Sequence, residues 1–317
     1  MDDYPRSSHP TDEERHLDLR CWMTVFAKLV ARIAHLVSQL EPGDLSDHTL
    51  SLLQDFGQSS LRKKTEEATN LASIYRTWAD VLLRSDLLDD LHWSSSKKRF
   101  SDWGLHTDYA KLVDPPLVHS TYYVPLLQDI KRIRLVTGEP RAQLVTSAFG
   151  YLSLFPLLLR LLPPDSPHLL DILSDLSEPH LLWSPHGLRS LSLDSVWYAA
   201  PNTQDDPAYW RGAIWINMNY LAWRALRYYS TIAAPAEASA SGPRAVSGRS
   251  DSFITTKAAY LADQLSRGVV RTVLGELRRT GFFWEQFNDT TGRGQRAHPF
   301  SGWTSLVVLM MSSEPLS

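Results

Sequence analysis

Two short stretches of the sequence concentrate groups able to move protons. Glu285 lies in Gly281-Phe282-Phe283-Trp284-Glu285-Gln286-Phe287-Asn288-Asp289, among four aromatic side chains where a helical pattern ends. A carboxylate so surrounded is desolvated, which is how general acids and bases are tuned, unless an arginine or a backbone amide compensates. The chain opens Asp2-Asp3-Tyr4-Pro5-Arg6, paired carboxylates beside an aromatic ring and an arginine. Such a pair can protonate a leaving oxygen and orient a sugar hydroxyl. In isolation it reads better as a charged, frayed terminus, because the first residues of most chains are loosely ordered. A third stretch, Tyr209-Trp210-Arg211-Gly212, leads into an apolar run through Trp215, Asn217 and Asn219. An arginine between two tryptophans at the head of a buried helix requires a carboxylate or a ligand as partner.

These groups are hundreds of residues apart, so the fold must bring them together. Apolar positions recur at helical spacing over residues 14–40, 49–56, 65–88, 122–135, 141–162, 209–229, 253–280 and 304–311. Trp22, Phe26, Leu29, Ile33, Val37 and Leu40 mark one face of the first helix, which the pattern predicts to be buried. Thr11 and Glu14 have the spacing of a capping box at its start. Strands are nearly absent, with short extended pieces expected near 99–103 and 282–287. The reading is all-α, nine to eleven helices with no short-period repeat. The run 210–221 is apolar on nearly every face and suits an inner helix, whereas 14–40 is one-sided and suits an outer one. Residues 231–252, rich in Ala, Ser, Pro and Gly, are predicted to be a disordered insertion within a single domain spanning 1–317.

Bulk composition narrows the function. The 317 residues are 43% hydrophobic and 21% charged, as in a soluble globular protein. A net charge of −3 gives no reason to expect nucleic acid or an anionic membrane surface as partner. The longest apolar runs, 152–159 and 306–311, are too short to cross a bilayer, so no membrane segment is expected. The single cysteine, Cys21, excludes internal disulfides and cysteine-based zinc sites, and no cofactor or metal motif is found. Eleven Trp and twelve Tyr suit either sugar faces or an ordinary aromatic core.

Several long motifs occur in one consistent order: DDYPRSSHP, DEERHLDLRCWM, WGLHTDY, FGYLSLFPLLL, LWSPHGLRSLS, YWRGAIWINMNYL and GFFWEQFNDTTGRGQRAHPFSGWTSLVVLMM. Together they resemble the C-terminal catalytic region of glycoside hydrolase family 63, the mannosyl-oligosaccharide (processing) α-glucosidases. The resemblance implies an (α/α)6 toroid that removes the terminal α-1,2-linked glucose from the N-glycan precursor Glc3Man9GlcNAc2 with inversion, on the lumenal side of the endoplasmic reticulum. It implies Asp2 as general acid and Glu285 as general base. Trp210, Arg211 and Trp215 then become the leading candidates to hold the glucose ring, followed by Tyr4, Arg6, Trp183 and Gln286. Departures are Ala213 for the proline of WRGPIW and Phe287 for the tyrosine of WEQY. The Ser-Gly that precedes the acid in the family is missing before Met1, so the toroid is expected to be incomplete at its N-terminal end, with the isolated chain unstable or inactive. A trehalase-like glucosidase on the same toroid, and an inactive fragment that only binds glycan or a partner, are the competing readings.

Overall fold

The computed structural model describes residues 3–40, 58–114, 132–232 and 248–312, except for the side chains of 58–64 and 248–252. The predicted helix over 49–56, most of the segment 122–135, the core of the proposed insertion and Asp2 lie outside the described residues. Helices dominate: α1 Leu17–Ser38, α2 Gln58–Leu83, α3 Ser85–His92, α4 Phe155–Leu158, α5 His168–Leu176, α6 Ile216–Ile232, α7 Gly248–Thr280 and α8 Val307–Met311. The strands are more numerous than expected, ten short ones forming five two-stranded antiparallel ribbons among the described residues. They are β1 Trp93–Ser94 with β2 Arg99–Phe100, β3 Trp103–His106 with β6 Arg141–Leu144, β4 Ala110–Val113 with β5 Ile133–Val136, β7 Trp183–Ser184 with β8 Gly187–Leu188, and β9 Gln286–Phe287 with β10 Gly294–Gln295.

The chain divides into two compact units, residues 18–91 and the remainder. Within the smaller unit, the Arg20 Nε donates to the Leu82 carbonyl at 3.1 Å and the Phe26 ring meets Tyr75 edge-on at 6.0 Å. Here the periodicity misassigned the buried face. Trp22, Phe26, Leu29, Ile33, Val37 and Leu40 are all exposed, and the buried positions of α1 include Cys21, Thr24, Ala27, Ala31 and Ala34. On α2 the buried positions are likewise Ala68, Ala72 and Ala79, while Leu71, Ile74, Trp78 and Val81 are exposed. A periodic stripe locates an apolar face but not its partner. By length and composition α1 is also long and apolar enough to cross a membrane, a property that core helices of soluble proteins share.

Other elements shifted for identifiable reasons. The predicted helix 65–88 breaks into α2 and α3 at Arg84. Residues 133–135, read as helical, belong instead to a strand, paired from Ala110↔Val136 to Val113↔Ile133. The predicted helix 141–162 begins instead as β6, in register with β3 from Trp103↔Leu144 to His106↔Arg141. Only after extended Gly150 does the chain coil into a 3-10 turn at Tyr151–Leu154 and then α4, with a proline in its first turn. Glu14 bonds Ser7 and His16 and also accepts the Thr11 backbone amide, as in a capping box, but α1 does not start there: it begins at Leu17. The first amide of α1, that of Leu17, is satisfied from elsewhere in the fold, by Asp102 Oδ1 at 2.8 Å.

The core of the larger unit lies where α6 and α7 pack, with α4, α5 and the β7–β8 ribbon around them. Leu157, Leu169, Leu173, Leu182, Leu188, Ile214, Leu226 and Val269 are all fully buried, each contributing roughly 1.5–3 kcal/mol by transfer from water. Asn219, also fully buried, fastens this core. Its Oδ1 accepts from the Leu188 amide at 2.7 Å, while Nδ2 lies within bonding distance of Tyr151 Oη and the Leu188 and Trp215 carbonyls. The side chain thereby ties β8 to the head of α6.

Candidate active site

Residues 209–215 form the spine of the site. They continue the apolar run of α6 but are not helical, because their backbone is engaged on both sides. The Tyr209 and Trp210 amides donate to Asp3 Oδ2 and Oδ1 at 2.8 and 2.6 Å, and Ile214 exchanges both backbone bonds with Phe287 at 2.8 and 3.0 Å. Gly212 supplies the turn between them at φ +141°, a conformation that side chains resist. Arg211 finds the carboxylate the sequence demanded. Its Nε donates to the Asp3 carbonyl at 2.6 Å and lies 3.9 Å from Asp3 Oδ2, with Nη1 on the Ala200 carbonyl.

The opening segment is therefore no frayed tail from Asp3 onward. The Tyr4 hydroxyl donates to the Ala148 carbonyl at 2.7 Å, Arg6 pairs with Asp102 at 2.7 Å, and His9 and Arg15 bridge to Leu105 and Trp103 of β3. Each contact lies far along the chain, so no local pattern could reveal it.

Glu285 enters from the other side. It precedes the β9–β10 ribbon, in which Gln286 faces Gln295 and Phe287 faces Gly294. Gly294 is obligatory there, since a Cβ would come within 2.1 Å of the Trp284 ring. Glu276 of α7 accepts the Gly294 amide at 3.0 Å and the Arg279 guanidinium, whose hydrogen bonds pull its carboxyl down to about 2. The Glu285 backbone is pinned by Ala297 and by Trp303 Nε1, which donates to its carbonyl at 2.8 Å. Its half-buried carboxylate accepts the Tyr209 hydroxyl on Oε1 and the Ala297 amide on Oε2 at 3.2 Å. Both partners donate, which leaves acceptor sites over for a further donor.

Tyr209 thus joins the two halves: its amide is held by Asp3 and its hydroxyl holds Glu285. It belongs to the Tyr-Trp-Arg-Gly motif, yet nothing in its spacing singled it out above its neighbours. Trp210 and Trp215 stack at 3.6 Å and 5°, with Tyr209 edge-on to Trp215 at 4.7 Å and Trp303 at 5.7 Å. Trp215 is fully buried, and its Nε1 has no acceptor among the described residues. The buried Gln286 amide, oriented to donate to the Tyr209 carbonyl and accept from Arg296 Nε, contacts both at 3.2 Å. The structure thus gathers Trp210, Trp215 and Gln286 around Tyr209 and Glu285. Tyr4, Arg6 and Arg211 share a separate cavity wall with Asp3.

Trp183 joins a different network. Its carbonyl accepts Arg189 Nη1 at 2.7 Å, together with the Pro179 and Leu181 carbonyls, while Arg189 Nε pairs with Asp289 Oδ2 at 2.8 Å. The Tyr198 hydroxyl donates to the same oxygen at 2.7 Å. Burial, reinforced by the Asp289 carboxylate, pushes the Tyr198 phenol up and keeps it a donor.

Residues 1–60 and 58–313 match the Glycosyl hydrolase family 63 C-terminal domain. The chain is 31% identical to alpha-glucosidase 2 of Arabidopsis thaliana over 99% of its own length and 34% of that protein. It is 32% identical to mannosyl-oligosaccharide glucosidase GCS1 of the same plant, over 99% of this chain and 31% of the relative. A probable mannosyl-oligosaccharide glucosidase of Schizosaccharomyces pombe is 32% identical over 98% of this chain and 28% of its own length. The chain therefore spans about a third of the length of these curated relatives. With the match running through both the Asp3 segment and the Glu285 ribbon, the chain belongs to glycoside hydrolase family 63 and corresponds to its C-terminal domain.

Proposed function

We propose that this chain is the catalytic part of an inverting α-glucosidase that releases the terminal α-1,2-linked glucose from a glucosylated mannosyl-oligosaccharide, the N-glycan precursor Glc3Man9GlcNAc2, on an (α/α)6 toroid. The observation that carries the reading is the Glu285 carboxylate. It is anchored on both oxygens, backed by Trp303 and tied through Tyr209 to Asp3, the neighbour of the proposed acid. Glu285 removes a proton from a water molecule that attacks the anomeric carbon. Asp2 donates its proton to the glycosidic oxygen on the opposite face, and the glucose leaves with inverted configuration. The two carboxyls then stand roughly 6.5–9.5 Å apart, the separation that admits the water. The relatives named mannosyl-oligosaccharide glucosidase support the substrate class, and the family assignment supports a lumenal site of action in the endoplasmic reticulum.

Glucose release from a glucosylated high-mannose oligosaccharide by the 317-residue chain tests this directly. Against the expectation, drawn from the missing Ser-Gly, that the isolated chain is unstable or inactive, this proposal requires wild type to turn over, with Glu285→Gln and Asp2→Asn inactive and still folded. Turnover by Glu285→Gln at the wild-type rate would overturn it.

A further inference from the structure

The cavity that Asp3 borders with Tyr4, Arg6 and Arg211 has a volume of about 610 Å³, and its wall also includes Arg134, Trp197, Asn202 and Asp206. Neither Glu285 nor its partners Tyr209 and Ala297 belong to this wall. The volume falls within the roughly 300–1,000 Å³ of small-molecule sites.

The lining is built rather than incidental. Trp197 is fixed by its Nε1 on Asp108 Oδ1 at 3.1 Å, an oxygen that also accepts Ser147 Oγ at 2.6 Å and His106 Nε2 at 2.9 Å. The guanidiniums of Arg134 and Arg211 lie over the Trp197 ring, 5.2 and 5.8 Å from its centroid. Arg134 uses Nε and Nη2 on the Pro201 carbonyl and has no carboxylate partner among the described residues. Its Nη1, and Nη2 of Arg211, are left without a hydrogen-bond partner there. Between these donors stand acceptors, with Asp206 and Asp3 sharing the Asn202 amide at 3.2 Å each.

Charges of both signs on one wall oppose a simple anion or cation, since either would face a like charge. A polyol fits, because every hydroxyl both donates and accepts. Position adds a second argument, which rests on the function proposed above. In an inverting glycosidase the acid acts on the leaving group and the base works on the opposite face. The cavity wall contains Asp3 to Ser8, the run that directly follows the proposed acid, and excludes the base with its partners.

We infer that this cavity binds the leaving mannosyl-oligosaccharide chain, the sugar units beyond the bond that is cut, with Arg134 as its principal donor. The probe is the oligosaccharide product of the proposed reaction, Glc2Man9GlcNAc2, titrated calorimetrically into the full chain. Saturable binding is expected, weakened about tenfold in Arg134→Ala, equal to ~1.4 kcal/mol, and weakened also in Asp206→Asn. In the same variants, the kcat/KM ratio of the long glucosylated oligosaccharide to an α-1,2-linked glucosyl disaccharide falls by a similar factor. If Arg134→Ala does not fold, Arg134→Lys replaces it: the charge remains and the planar fork is lost, so affinity is again expected to fall.

Absence of binding by wild type, unchanged affinity in the folded Arg134 variant, or saturable binding of inorganic phosphate in place of the glycan overturns the inference. Disaccharide hydrolysis with Arg134-independent glycan binding sinks the cavity assignment alone. Arg134-dependent glycan binding without hydrolysis sinks the proposed reaction alone.

Discussion

Replacing Asp289 by alanine removes the counter-charge of a guanidinium that has almost no access to water. Both side chains of the Arg189–Asp289 pair are 7% exposed, and the contact is 2.8 Å long. Breaking a buried pair by deleting one partner costs about 3–5 kcal/mol, because the remaining charge is left uncompensated in a poor solvent. The Tyr198 hydroxyl loses its acceptor at the same stroke. At roughly 2–4 °C per kcal/mol for a unit of about 200 residues, the melting temperature should fall by about 6–20 °C. Thermal unfolding followed by circular dichroism measures this.

The double replacement Arg189→Met with Asp289→Leu sharpens the test. Exchanging a buried pair for apolar side chains is often neutral, but Arg189 also serves the carbonyls of Pro179, Leu181 and Trp183. The double variant should therefore recover only part of the loss. A drop below about 2 °C for Asp289→Ala, or a double variant less stable than either single one, would refute this account of the pair.

Three further outcomes are expected. Tyr209→Phe deletes a hydrogen bond to the Glu285 carboxylate, a type worth about 1.5–3 kcal/mol, so kcat should fall by roughly 10- to 150-fold with the fold intact. Equal kcat in the two proteins would remove Tyr209 from the site. Glu276 has its carboxyl lowered from 4.5 to about 2 by Arg279, so its stabilising contribution is complete above the unfolded value and lost as pH falls through the folded one. The stability gap between wild type and Glu276→Gln should accordingly close between pH 4.5 and 2, as acid-unfolding curves would reveal; a gap unchanged at pH 2 contradicts it. Finally, the exposed apolar stripe of α1 and α2 should bind a hydrophobic dye. Phe26→Glu with Ile33→Glu should reduce the dye signal without lowering the melting temperature, and unchanged dye binding would locate the apolar surface elsewhere.

The parts of this protein legible in its sequence are those where one local signal decides. Residues 253–280 lie within the long helix α7, and the apolar character of 216–229 located α6 because almost every face of it is buried. Glu285 stood out through its aromatic neighbours, and Arg211 through its demand for a partner, which Asp3 meets. What failed depends on distant chain. Residues 141–144 have apolar spacing compatible with a helix turn, but the Trp103–His106 strand recruits them. The apolar stripe of α1 is genuine, yet alanines on its opposite side occupy the buried positions. Tyr209 was hidden because its role arises only when two carboxylates, those of Asp3 and Glu285 at opposite ends of the chain, approach it from either side.

The central claim is that Glu285 directs water to the anomeric carbon from the face opposite the leaving chain. Proton NMR of the glucose released in the first minutes of turnover, before the anomers equilibrate, tests it most directly. Inversion of an α-linkage predicts β-glucose as the initial product from wild type and none from Glu285→Gln. Initial α-glucose, or β-glucose released undiminished by Glu285→Gln, would contradict the account.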